Sequence, residues 1–492
     1  MQTNPLFLID GYKSGHHKQY PKGTEFVYSN FTPRSSRVPG VNAVVNFGMQ
    51  YFVKKYLIDL FQKNFFDRPL EDVVGEYKRV LNAYLGNDDN YEHIEALHKL
   101  GYLPISIYSI PEGEIVPIGV PVFTVVNTHK DFDWLTKYFE TLMSNVLWKP
   151  ITSATTANEY RKAFVDYAKI TGYDQSFIDW QGHDFSFRGM SGNEDALMSG
   201  AAHLLSFTGT DTVPTIEFME MFYNADCSKE LVGGSVPATE HSVMSMGDEA
   251  GEIDTFKRLI TEIYPGGIIS IVSDTWDFWQ VMTEFLPALK DDIMAREGRV
   301  VIRPDSGDPV KIICGDPEAK SGSPEQLGAF QILWDIFGGT LNKAGYRELD
   351  PHIGLIYGDS ITLQRQQDIL ERLEESSFAA NNLVLGIGSF TYEYVTRDTF
   401  GFSMKATWGM INGKPKDIFK DPKTNNGFSK KSAKGLLSVK KVNGVYVLKD
   451  QCTMVEYANT EMKQVFLNGE LLIDDSLSTI RARLVQANID NA

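Results

Sequence analysis

The chain has 492 residues, too many for one small hydrophobic core, and this length predicts two packed domains or one large barrel with additions. It carries 47 basic and 64 acidic side chains, a net charge of −17, which argues against a surface that binds nucleic acid or anionic membranes. The three cysteines show neither metal-site nor disulfide spacing, and no signal peptide or long apolar run is present, so we expect a cytoplasmic protein without a membrane span.

The first 148 residues mix element types. The stretch EFVYSNFTPR alternates in polarity and predicts a strand that runs into a loop, whereas EDVVGEYKRVLNAYLG has the apolar spacing of a helix. The stretch SIYSIPEGEIVPIGVPVFTVVN predicts strands broken at glycines and prolines, and DWLTKYFETLMSNVLW predicts an amphipathic helix.

The middle of the chain, residues 149–397, changes character. Two helices are predicted at its start, in TTANEYRKAFVDYAKITG and SGNEDALMSGAAHLLSF. Four short apolar runs then alternate with helical patterns: GGIISIVSD, RVVIRPDSG, HIGLIYGD and NLVLGIGS. Apolar strands without alternation, separated by helices, predict an α/β fold with a parallel sheet.

From residue 398 the sequence becomes basic and rich in strand patterns. The runs GFSMKATWGM, GLLSVKKV and GVYVLKD predict strands, and Asn443-Gly444 predicts a hairpin turn between the last two. We expect residues 1–148 and 398–492 to form one β-rich domain, with residues 149–397 as a separate α/β domain.

Each of the four central runs ends in polar or glycine residues. The ends are Asp274, Asp305, Gly358-Asp359 and Gly386-Ile387-Gly388-Ser389. Ligands of parallel α/β folds bind at the carboxyl ends of strands. Carboxylates suit sugar hydroxyls and magnesium, and a glycine turn before a helix offers N–H groups to phosphate, so the set predicts a phosphorylated sugar as ligand. Each aspartate taken alone fits a turn former or helix cap equally well.

A further candidate lies in SVPATEHSVM, which runs into a predicted helix. Glu240 and His241 stand side by side in this stretch. An imidazole at that point is either an ordinary polar group at a helix start or a reactive centre, and the stretch itself leaves both interpretations open.

Taken in order, eight motifs resemble the nicotinamide phosphoribosyltransferases, members of the type II phosphoribosyltransferase family. They are LIDGYKSGHHKQYP, GHDFSFRGMSG, FTGTDTV, SVPATEHS, VSDTWD, IRPDSGDP, IYGDSI and SFTYEYVTRD, and they span nearly the whole chain. The resemblance implies an irregular TIM-like α/β barrel with a β-rich outer domain built from both chain ends. It also implies a homodimer that makes nicotinamide mononucleotide and pyrophosphate from nicotinamide and phosphoribosyl pyrophosphate, with Mg²⁺ required and ATP as co-substrate.

The resemblance assigns two aromatic residues to the pyridine ring. Phe185 matches one side of a ring clamp, and Tyr12 matches the other side, supplied by the partner subunit. Asp211 matches a carboxylate that faces the carboxamide and repels nicotinate. The other residues assigned to the nicotinamide site are Asp10, His183 and Arg188.

A second group of matches concerns phosphoribosyl pyrophosphate. The residues assigned to ribose, phosphate and pyrophosphate are Arg303, Asp305, Gly358, Asp359, Gly388 and Ser389, joined from across the dimer interface by the basic residues Arg34, Arg397, Lys405 and Lys420. The stretch GIGSFTY keeps fewer glycines than the family's phosphate loop, which leaves the path of this loop open. No residue is assigned as a magnesium ligand.

For the histidines the resemblance gives one clear role. His241 matches the histidine that the family phosphorylates from ATP, and Asp274 is favoured over Glu240 as its partner. The catalytic set is therefore His241, Asp274, Asp305 and Glu240. His203 is predicted to be a core residue with satisfied hydrogen bonds, and His16 and His17 receive no role.

Three other functions compete with this interpretation. A nicotinate phosphoribosyltransferase would share the barrel and differ in substrate. A phosphosugar lyase or aldolase would need a Schiff-base lysine at a strand end, and the four central runs contain none. A non-catalytic binding protein would not need the acidic, aromatic and basic residues that are retained together.

Overall fold

The computed structural model describes residues 3–420 and 433–491 of the chain. In this part of the chain no helix has both the length and the apolar character needed to cross a bilayer. Two compact units are formed. As far as their residues are described, the first comprises Met1–Thr155, Phe218–Asp226 and Val395–Ala492, and the second comprises Thr156–Glu217 and Cys227–Tyr394.

Strands occur in both units. In chain order they are β1 (Thr24–Thr32), β2 (Ala43–Val45), β3 (Ile105–Ser109), β4 (Ile115–Pro117), β5 (Phe123–Asn127), β6 (Gly182–Asp184), β7 (Gly209–Thr210), β8 (Gly266–Val272), β9 (Glu297–Arg303), β10 (Gly339–Leu341), β11 (Arg347–Leu349), β12 (Ile353–Tyr357), β13 (Leu383–Ile387), β14 (Ser403–Ile411), β15 (Lys414–Asp417), β16 (Leu436–Val442), β17 (Val445–Cys452), β18 (Lys463–Leu467) and β19 (Glu470–Leu471).

The second unit is built on a parallel sheet of six strands, in the order β7, β6, β13, β12, β9, β8. The four predicted apolar runs form β8, β9, β12 and β13, so the predicted α/β class is confirmed. Ile269, Ile302, Leu355 and Leu385 are fully buried in the core of this unit. Strand β12 is buried at all five of its residues, and burial on both faces explains why its sequence lacks alternation. In β9, by contrast, buried and partly buried residues alternate from Val300 to Arg303. The strands β6 and β7 are too short to produce a periodic signal.

One irregular segment hydrogen bonds to both edge strands of this sheet. Thr210 of β7 donates its N–H to the carbonyl of Gly234 (2.9 Å), and Thr239 donates its N–H to the carbonyl of Ser270 in β8 (3.0 Å). Both bridges are parallel. Residues 234–239 therefore run in the strand direction, and the chain leaves them at the edge where β8 and β9 end, with His241 two residues further on.

Helices form much of the remaining described chain. Among the described residues, the α-helices of nine or more residues are Leu70–Leu85, Glu92–Leu100, Glu140–Thr171, Asn193–His203, Pro214–Tyr223, Ala329–Phe337, Leu363–Glu375 and Leu477–Asp490. Shorter ones include Met49–Phe52, His241–Ser245, Glu252–Arg258, Pro309–Cys314 and Ser389–Tyr392.

The helix Glu140–Thr171 is a single element where the sequence predicts two. Pro150 lies inside it, and a proline removes one N–H donor and usually ends or kinks a helix. Its ring packs over Gly48, where a Cβ would lie only 2.6 Å from Pro150 Cγ. The neighbouring Thr152 hydroxyl donates to the carbonyl of Trp148 (2.7 Å). Tertiary packing around the proline thus outweighs the missing hydrogen bond.

The first unit contains an antiparallel sheet of seven strands, in the order β15, β14, β1, β5, β3, β18, β19. Strand β1 pairs with β14 on one side and with β5 on the other, so strands from both ends of the chain share this sheet. The predicted turn at Asn443-Gly444 is confirmed. It joins β16 to β17, and both of its residues have the positive φ that such a hairpin requires.

Candidate active site

The segments that follow the carboxyl ends of the parallel strands carry eight of the site residues predicted from the sequence. They are Phe185 after β6, Asp211 after β7, Asp274 after β8, Asp305 after β9, Gly358 and Asp359 after β12, and Gly388 and Ser389 after β13. A cleft of about 540 Å³ opens beside the first two of these loops, with Phe185, Arg188 and Asp211 in its lining. Its volume suits a small ligand.

Phe185 lies directly on the backbone of two strand ends. A Cβ on Gly386 would come within 2.5 Å of the Phe185 ring, and one on Gly358 would come within 3.6 Å. Glycine at 386 is therefore required by the close approach of the ring. The imidazole of His183 lies 4.6 Å from the Phe185 ring, centroid to centroid, at an angle of 43°. These contacts fix the ring plane at one wall of the cleft.

Asp211 is held by two hydrogen bonds to the same carboxylate oxygen. His183 Nε2 lies 2.8 Å from Oδ1, and the Ser235 hydroxyl donates to Oδ1 at 2.6 Å. Burial raises the pKa of Asp211, but the bonds from His183 and Ser235 lower it more, and the resulting pKa lies below the ordinary value. The cleft therefore contains a charged carboxylate at neutral pH.

Arg303 lies among three carboxylates of the strand ends. Burial lowers its pKa, and Asp305, Asp211 and Asp274 act in the opposite direction. Asp274 accepts the backbone N–H of Asp305 through Oδ2 (3.0 Å), which ties the ends of β8 and β9 together. Burial raises the pKa of Asp305, Arg303 opposes this effect, and Asp274 and Asp359 add to it. Charges of both signs thus converge at this edge.

His241 begins the helix His241–Ser245 and has a side chain that is 49% exposed. Its Nδ1 lies 3.1 Å from the hydroxyl of Thr275, and its Nε2 lies 3.9 Å from Oδ1 of Asp274. Glu240 instead accepts a hydrogen bond from Ser242. From the sequence, only Glu240 and Asp274 are predicted as possible partners of the His241 imidazole. The hydrogen-bond partner is Thr275, while Asp274 is near enough to act through its charge.

The predicted phosphate residues lie between β13 and the helix Ser389–Tyr392. The carbonyl of Gly388 accepts the N–H groups of Thr391 and Tyr392 (3.0 and 3.2 Å). The side chain of Ser389 occupies the space beside Gly189, where a Cβ would lie 2.1 Å from its hydroxyl. This loop therefore contacts the loop that follows Phe185.

Two buried residues organise the site although the sequence assigns them no role. Asp184 accepts hydrogen bonds from three groups in two loops. Tyr357 ends β12 and donates its hydroxyl to the carbonyls of Ser306 (2.9 Å) and Gly307 (3.0 Å). Asp184 ends β6 directly before Phe185, and Tyr357 ends β12 directly before Gly358. Their position beside predicted site residues is the signal in the sequence that could have identified them.

His203 is a core residue, as predicted. It is fully buried, with Nδ1 2.7 Å from the hydroxyl of Tyr392 and Nε2 3.0 Å from the carbonyl of Gly209. Burial lowers its pKa to about 4, so the ring is neutral at physiological pH.

The first unit holds the remaining predicted residues. Tyr12 is 64% exposed, with the amine of Lys13 4.9 Å from its ring centroid. Asp10 accepts a hydrogen bond from the Thr141 hydroxyl (2.8 Å), which anchors the turn that carries Tyr12.

The basic residues of the first unit are partly clustered. Burial lowers the pKa of Lys405, and the nearby charges of Arg34 and Lys420 lower it further. Arg34 also donates to the carbonyl of Gly401 (3.2 Å), and Arg397 lies 3.6 Å from Asp398. Three like charges held together disfavour one another and favour an anion between them.

In the part of the chain that the structure describes, no three His, Cys, Asp or Glu side chains lie close enough together to bind a metal ion by themselves. One observation nevertheless concerns a cation. Asp274 Oδ1 is buried without a hydrogen-bond partner among the described atoms, although Oδ2 is bonded. A buried carboxylate oxygen of this kind needs a positive partner.

Two family models match the sequence. Residues 180–470 match the nicotinate phosphoribosyltransferase (NAPRTase) family, and residues 4–107 match the N-terminal domain of nicotinamide phosphoribosyltransferase.

Curated relatives match over the full length. The chain is 52% identical to the nicotinamide phosphoribosyltransferase of Acinetobacter baylyi, over 99% of this chain and 98% of that protein. It is 31% identical to the protein of the same name from Xanthomonas campestris, over 99% of each chain.

Solved structures share the fold at low sequence identity. The nicotinate-nucleotide pyrophosphorylase of Pyrococcus furiosus matches with a TM-score of 0.60 and 16% identity, over 99% of this chain and 95% of that one. Human nicotinic acid phosphoribosyltransferase matches with a TM-score of 0.56 and 13% identity, over 98% and 93%. These two similarities concern the fold alone.

Proposed function

The chain belongs to the nicotinamide phosphoribosyltransferase family, and from that premise we propose that it joins nicotinamide to phosphoribosyl pyrophosphate. The products are nicotinamide mononucleotide and pyrophosphate, so the enzyme is a pentosyltransferase of NAD salvage. The observation that carries this proposal is the cleft in which the ring of Phe185 and the charged Asp211 lie together. A flat apolar wall beside a hydrogen-bond acceptor matches a pyridine ring that bears a carboxamide.

In the ring site, Phe185 stacks on one face of nicotinamide and Arg188 lies at the edge of the cleft. His183 and Ser235 use Oδ1 of Asp211, so the carboxamide NH₂ donates to Oδ2. Tyr12 covers the second face of the ring from the partner subunit, with Asp10 holding its turn. Stacking on both faces contributes about 0.5–1.5 kcal/mol per aromatic contact beyond burial.

The barrel proposal rests on the irregular segment of residues 234–239. Because this segment hydrogen bonds to β7 and to β8, it supports closure of the six-stranded sheet into an irregular TIM-like barrel. In that arrangement, residues 149–397 form the catalytic barrel, and residues 1–148 with 398–492 form the β-rich outer domain. A cytoplasmic location and a homodimer with shared sites complete the proposal.

In the site for phosphoribosyl pyrophosphate, Asp305 and Asp359 orient the ribose hydroxyls. The backbone of Gly358, directly before Asp359, lies beside the same hydroxyls. Gly388 and Ser389 receive the 5′-phosphate. Arg303 adds a positive charge from β9, and the first unit of the partner adds the basic group of Arg34, Arg397, Lys405 and Lys420. Guanidinium and ammonium groups suit phosphate oxygens, and their number matches the charge of the substrate.

The bond between ribose and nicotinamide forms without a protein nucleophile. As pyrophosphate leaves, positive charge develops on the ribose, and the carboxylate of Asp305 stabilises that charge. The clamp holds the pyridine nitrogen in line with the anomeric carbon, and the basic group stabilises the leaving pyrophosphate. Catalysis in this scheme comes from positioning and electrostatic complementarity.

The residues present fit a magnesium ion held jointly with substrate. Mg²⁺ typically binds through one or two carboxylates plus phosphates and water, a set that carboxylates of the strand ends and the phosphates of the substrate can supply together. Asp274, whose buried Oδ1 accepts no hydrogen bond from the described residues, and Asp305 are the side chains that would hold it. When bound, the ion supplies charge neutralisation for the pyrophosphate.

His241 is proposed as the acceptor of the γ-phosphoryl group of ATP, which leaves ADP. Phosphorylation requires a neutral imidazole nitrogen that is open to solvent, and half of this side chain is exposed. Thr275 orients the ring, and Asp274 stabilises positive charge on it. The phosphate then adds negative charge at the strand ends, which prepares the magnesium and pyrophosphate site and favours synthesis.

Nicotinate phosphoribosyltransferase activity is the second candidate, because residues 180–470 match that family. The charge of Asp211 argues against it, since a nicotinate carboxylate would lie beside a like charge in a partly dry cleft.

One experiment tests the function directly. The protein is incubated with phosphoribosyl pyrophosphate, magnesium and either nicotinamide or nicotinate, with and without ATP, and the mononucleotides are measured. Formation of nicotinamide mononucleotide, increased by ATP, is expected. A native preference for nicotinate would overturn the proposed function.

A further inference from the structure

We propose that Asp184 is a positioning residue that sets the spacing between the Phe185 ring and the Asp211 carboxylate. The inference rests on the proposed function, since it concerns how the nicotinamide cleft is assembled. Asp184 ends β6 and is fully buried, so it has no direct access to a ligand in the cleft. Its action is through the two loops that form the cleft walls.

The carboxylate of Asp184 joins those two loops by side-chain hydrogen bonds. Oδ1 accepts the backbone N–H of Ser186 (2.9 Å), in the loop of Phe185. Oδ2 accepts the hydroxyl of Thr212 (2.7 Å) and, at 3.3 Å, that of Thr210, on either side of Asp211. One carboxylate therefore uses one oxygen for each wall of the cleft.

The backbone reinforces the same link. The carbonyl of Asp184 accepts the N–H of Asp211 (2.9 Å), and the N–H of Thr212 is bonded to the hydroxyl of Thr210 (3.0 Å). Phe185 follows Asp184 directly, and Asp211 lies between the two threonines. Phe185, which stacks on the substrate, is thus the next residue after Asp184. Asp211, which meets the substrate amide, lies between two threonines that hydrogen bond to the Asp184 carboxylate.

This geometry requires both carboxylate oxygens of Asp184 to act as hydrogen-bond acceptors. A buried carboxylate with three donors is stable only while they are all present. An amide at position 184 would turn its NH₂ group either toward the Ser186 N–H, where a donor already stands, or toward Thr212, whose hydroxyl would have to change from donor to acceptor. The loops of Phe185 and Asp211 would then separate, and the cleft would fit nicotinamide less well. The ends of β9 and β13, which bind phosphoribosyl pyrophosphate in the proposed function, would keep their geometry.

Thr212 offers the cleanest test, and the chain supplies a matched control. Thr215 is also fully buried, three residues further on, and its hydroxyl has no hydrogen-bond partner among the described residues. We compare Thr212→Val with Thr215→Val, with Thr212→Ser as the conservative variant that keeps the hydroxyl, and with Asp184→Asn. For each folded protein, kcat and the KM values of both substrates are measured.

Loss of the Thr212 hydroxyl is expected to raise the KM for nicotinamide about tenfold, in line with one lost charge-assisted hydrogen bond. The KM for phosphoribosyl pyrophosphate stays near its original value. Thr212→Ser restores the nicotinamide KM, and Thr215→Val leaves it unchanged. Asp184→Asn, where it folds, resembles Thr212→Val with a larger effect, and it reduces the preference for nicotinamide over nicotinate.

Three results would overturn the inference: equal effects of Thr212→Val and Thr215→Val, equal increases of both KM values, or an unchanged nicotinamide KM with only the melting temperature lowered. The last result would make the network merely structural. If the unaltered protein forms no nicotinamide mononucleotide, the proposed function has failed first, and this inference is overturned with it.

Discussion

At the scale of single residues, the proposed function assigns substrate selectivity to the charge of Asp211. The carboxylate keeps a low pKa because His183 and Ser235 both hydrogen bond to its Oδ1. A neutral carboxamide gains a hydrogen bond from such a group, and a carboxylate substrate is repelled by it. Selectivity between nicotinamide and nicotinate should therefore respond to this side chain more than to the stacking ring.

The substitution Asp211→Asn tests that charge. It weakens the bond to the carboxamide NH₂ and removes the repulsion of nicotinate, so the preference for nicotinamide should narrow. A lost hydrogen bond of this type costs about 1–3 kcal/mol, which predicts a change of roughly tenfold or more in the ratio of kcat/KM values. An unchanged ratio would place the selectivity in another residue.

His241 supports a second prediction at this scale. Replacement by alanine removes the proposed phosphoryl acceptor, so ATP hydrolysis and acid-labile phosphate on the protein should disappear. Synthesis without ATP should persist at a reduced rate, because the ring and ribose sites are intact. As a control, Ser245→Ala changes a neighbour whose hydroxyl donates only to the His241 carbonyl. ATP hydrolysis at the normal rate in His241→Ala would refute the assignment.

At the scale of elements, the strand ends act together because buried groups hold their loops in register. Tyr357 shows this for the loop that carries Asp305. Its hydroxyl lies 2.9 and 3.0 Å from the carbonyls of Ser306 and Gly307, directly after that carboxylate. The proposed ribose site would therefore depend on Tyr357, a buried side chain of β12.

The substitution Tyr357→Phe should raise the KM for phosphoribosyl pyrophosphate several-fold while that for nicotinamide changes little. The lost hydroxyl is worth about 1 kcal/mol, and its effect falls on the loop of Asp305. Tyr173→Phe is the matched control, since that buried hydroxyl bonds to the Phe164 carbonyl (3.1 Å) and to Gln181 (2.6 Å) instead. Similar KM changes in both variants would argue against a role for Tyr357 in the site.

A buried carboxylate in the first unit gives a prediction about pH. Glu112 accepts the N–H groups of Gly48 (3.2 Å) and Gln50 (2.6 Å) at the start of the helix Met49–Phe52. Burial raises its pKa to about 7, although these bonds oppose the shift. A raised folded-state pKa means that the stabilisation is complete below the ordinary value of 4.5 and is lost as pH rises through about 7.

The melting temperature should therefore fall from about pH 5 to about pH 8 in the native protein, and this fall should be smaller in Glu112→Gln. The variant is less stable at low pH, because an amide serves the two N–H donors less well. Glu114→Gln is a suitable control, since that residue pairs with Lys441 (3.1 Å). Parallel pH profiles for Glu112→Gln and the native protein would contradict the prediction.

The sequence predicts those elements whose signal is local. The apolar runs of β8, β9, β12 and β13 and the turn at Asn443-Gly444 are confirmed, because a strand with a buried core or a turn with positive φ restricts the types of several neighbouring residues. The irregular segment of residues 234–239 carries no such mark, since its pairing depends on two strands distant in sequence. The sequence predicts two helices, one on each side of Pro150, but packing against Gly48 keeps the helix Glu140–Thr171 continuous.

For the candidate site, the strand-end carboxylates follow from position in the sequence, whereas their partners do not. Thr275 as the hydrogen-bond partner of His241, and Asp184 as the link between two loops, depend on how separate loops meet in space. Single-residue patterns contain no information on such distances. The motifs identify which residues matter, and the fold determines which of them touch.

At the scale of the whole molecule, the proposed homodimer divides each site between two chains. Tyr12 and Arg397 belong to the first unit, and Phe185 and Asp305 belong to the second. If the first unit of one chain serves the second unit of its partner, single substitutions in the two units should complement one another. The acidic chain would also bring its basic residues to the substrate only upon assembly.

The test mixes two inactive proteins, Tyr12→Ala and Asp305→Ala, under conditions that exchange subunits. Half of the dimers formed at random are heterodimers, and each carries one intact site, so about a quarter of the native activity should return. Tyr12→Ala mixed with Arg397→Ala is the matched control, because both substitutions lie in the donated half and every site stays defective. Exchange is verified with chains of distinguishable mass. Recovery in the first mixture alone supports the shared site. No recovery in either mixture despite exchange would mean that each chain completes its own site, and equal recovery in both mixtures would mean that the regained activity does not come from a shared site.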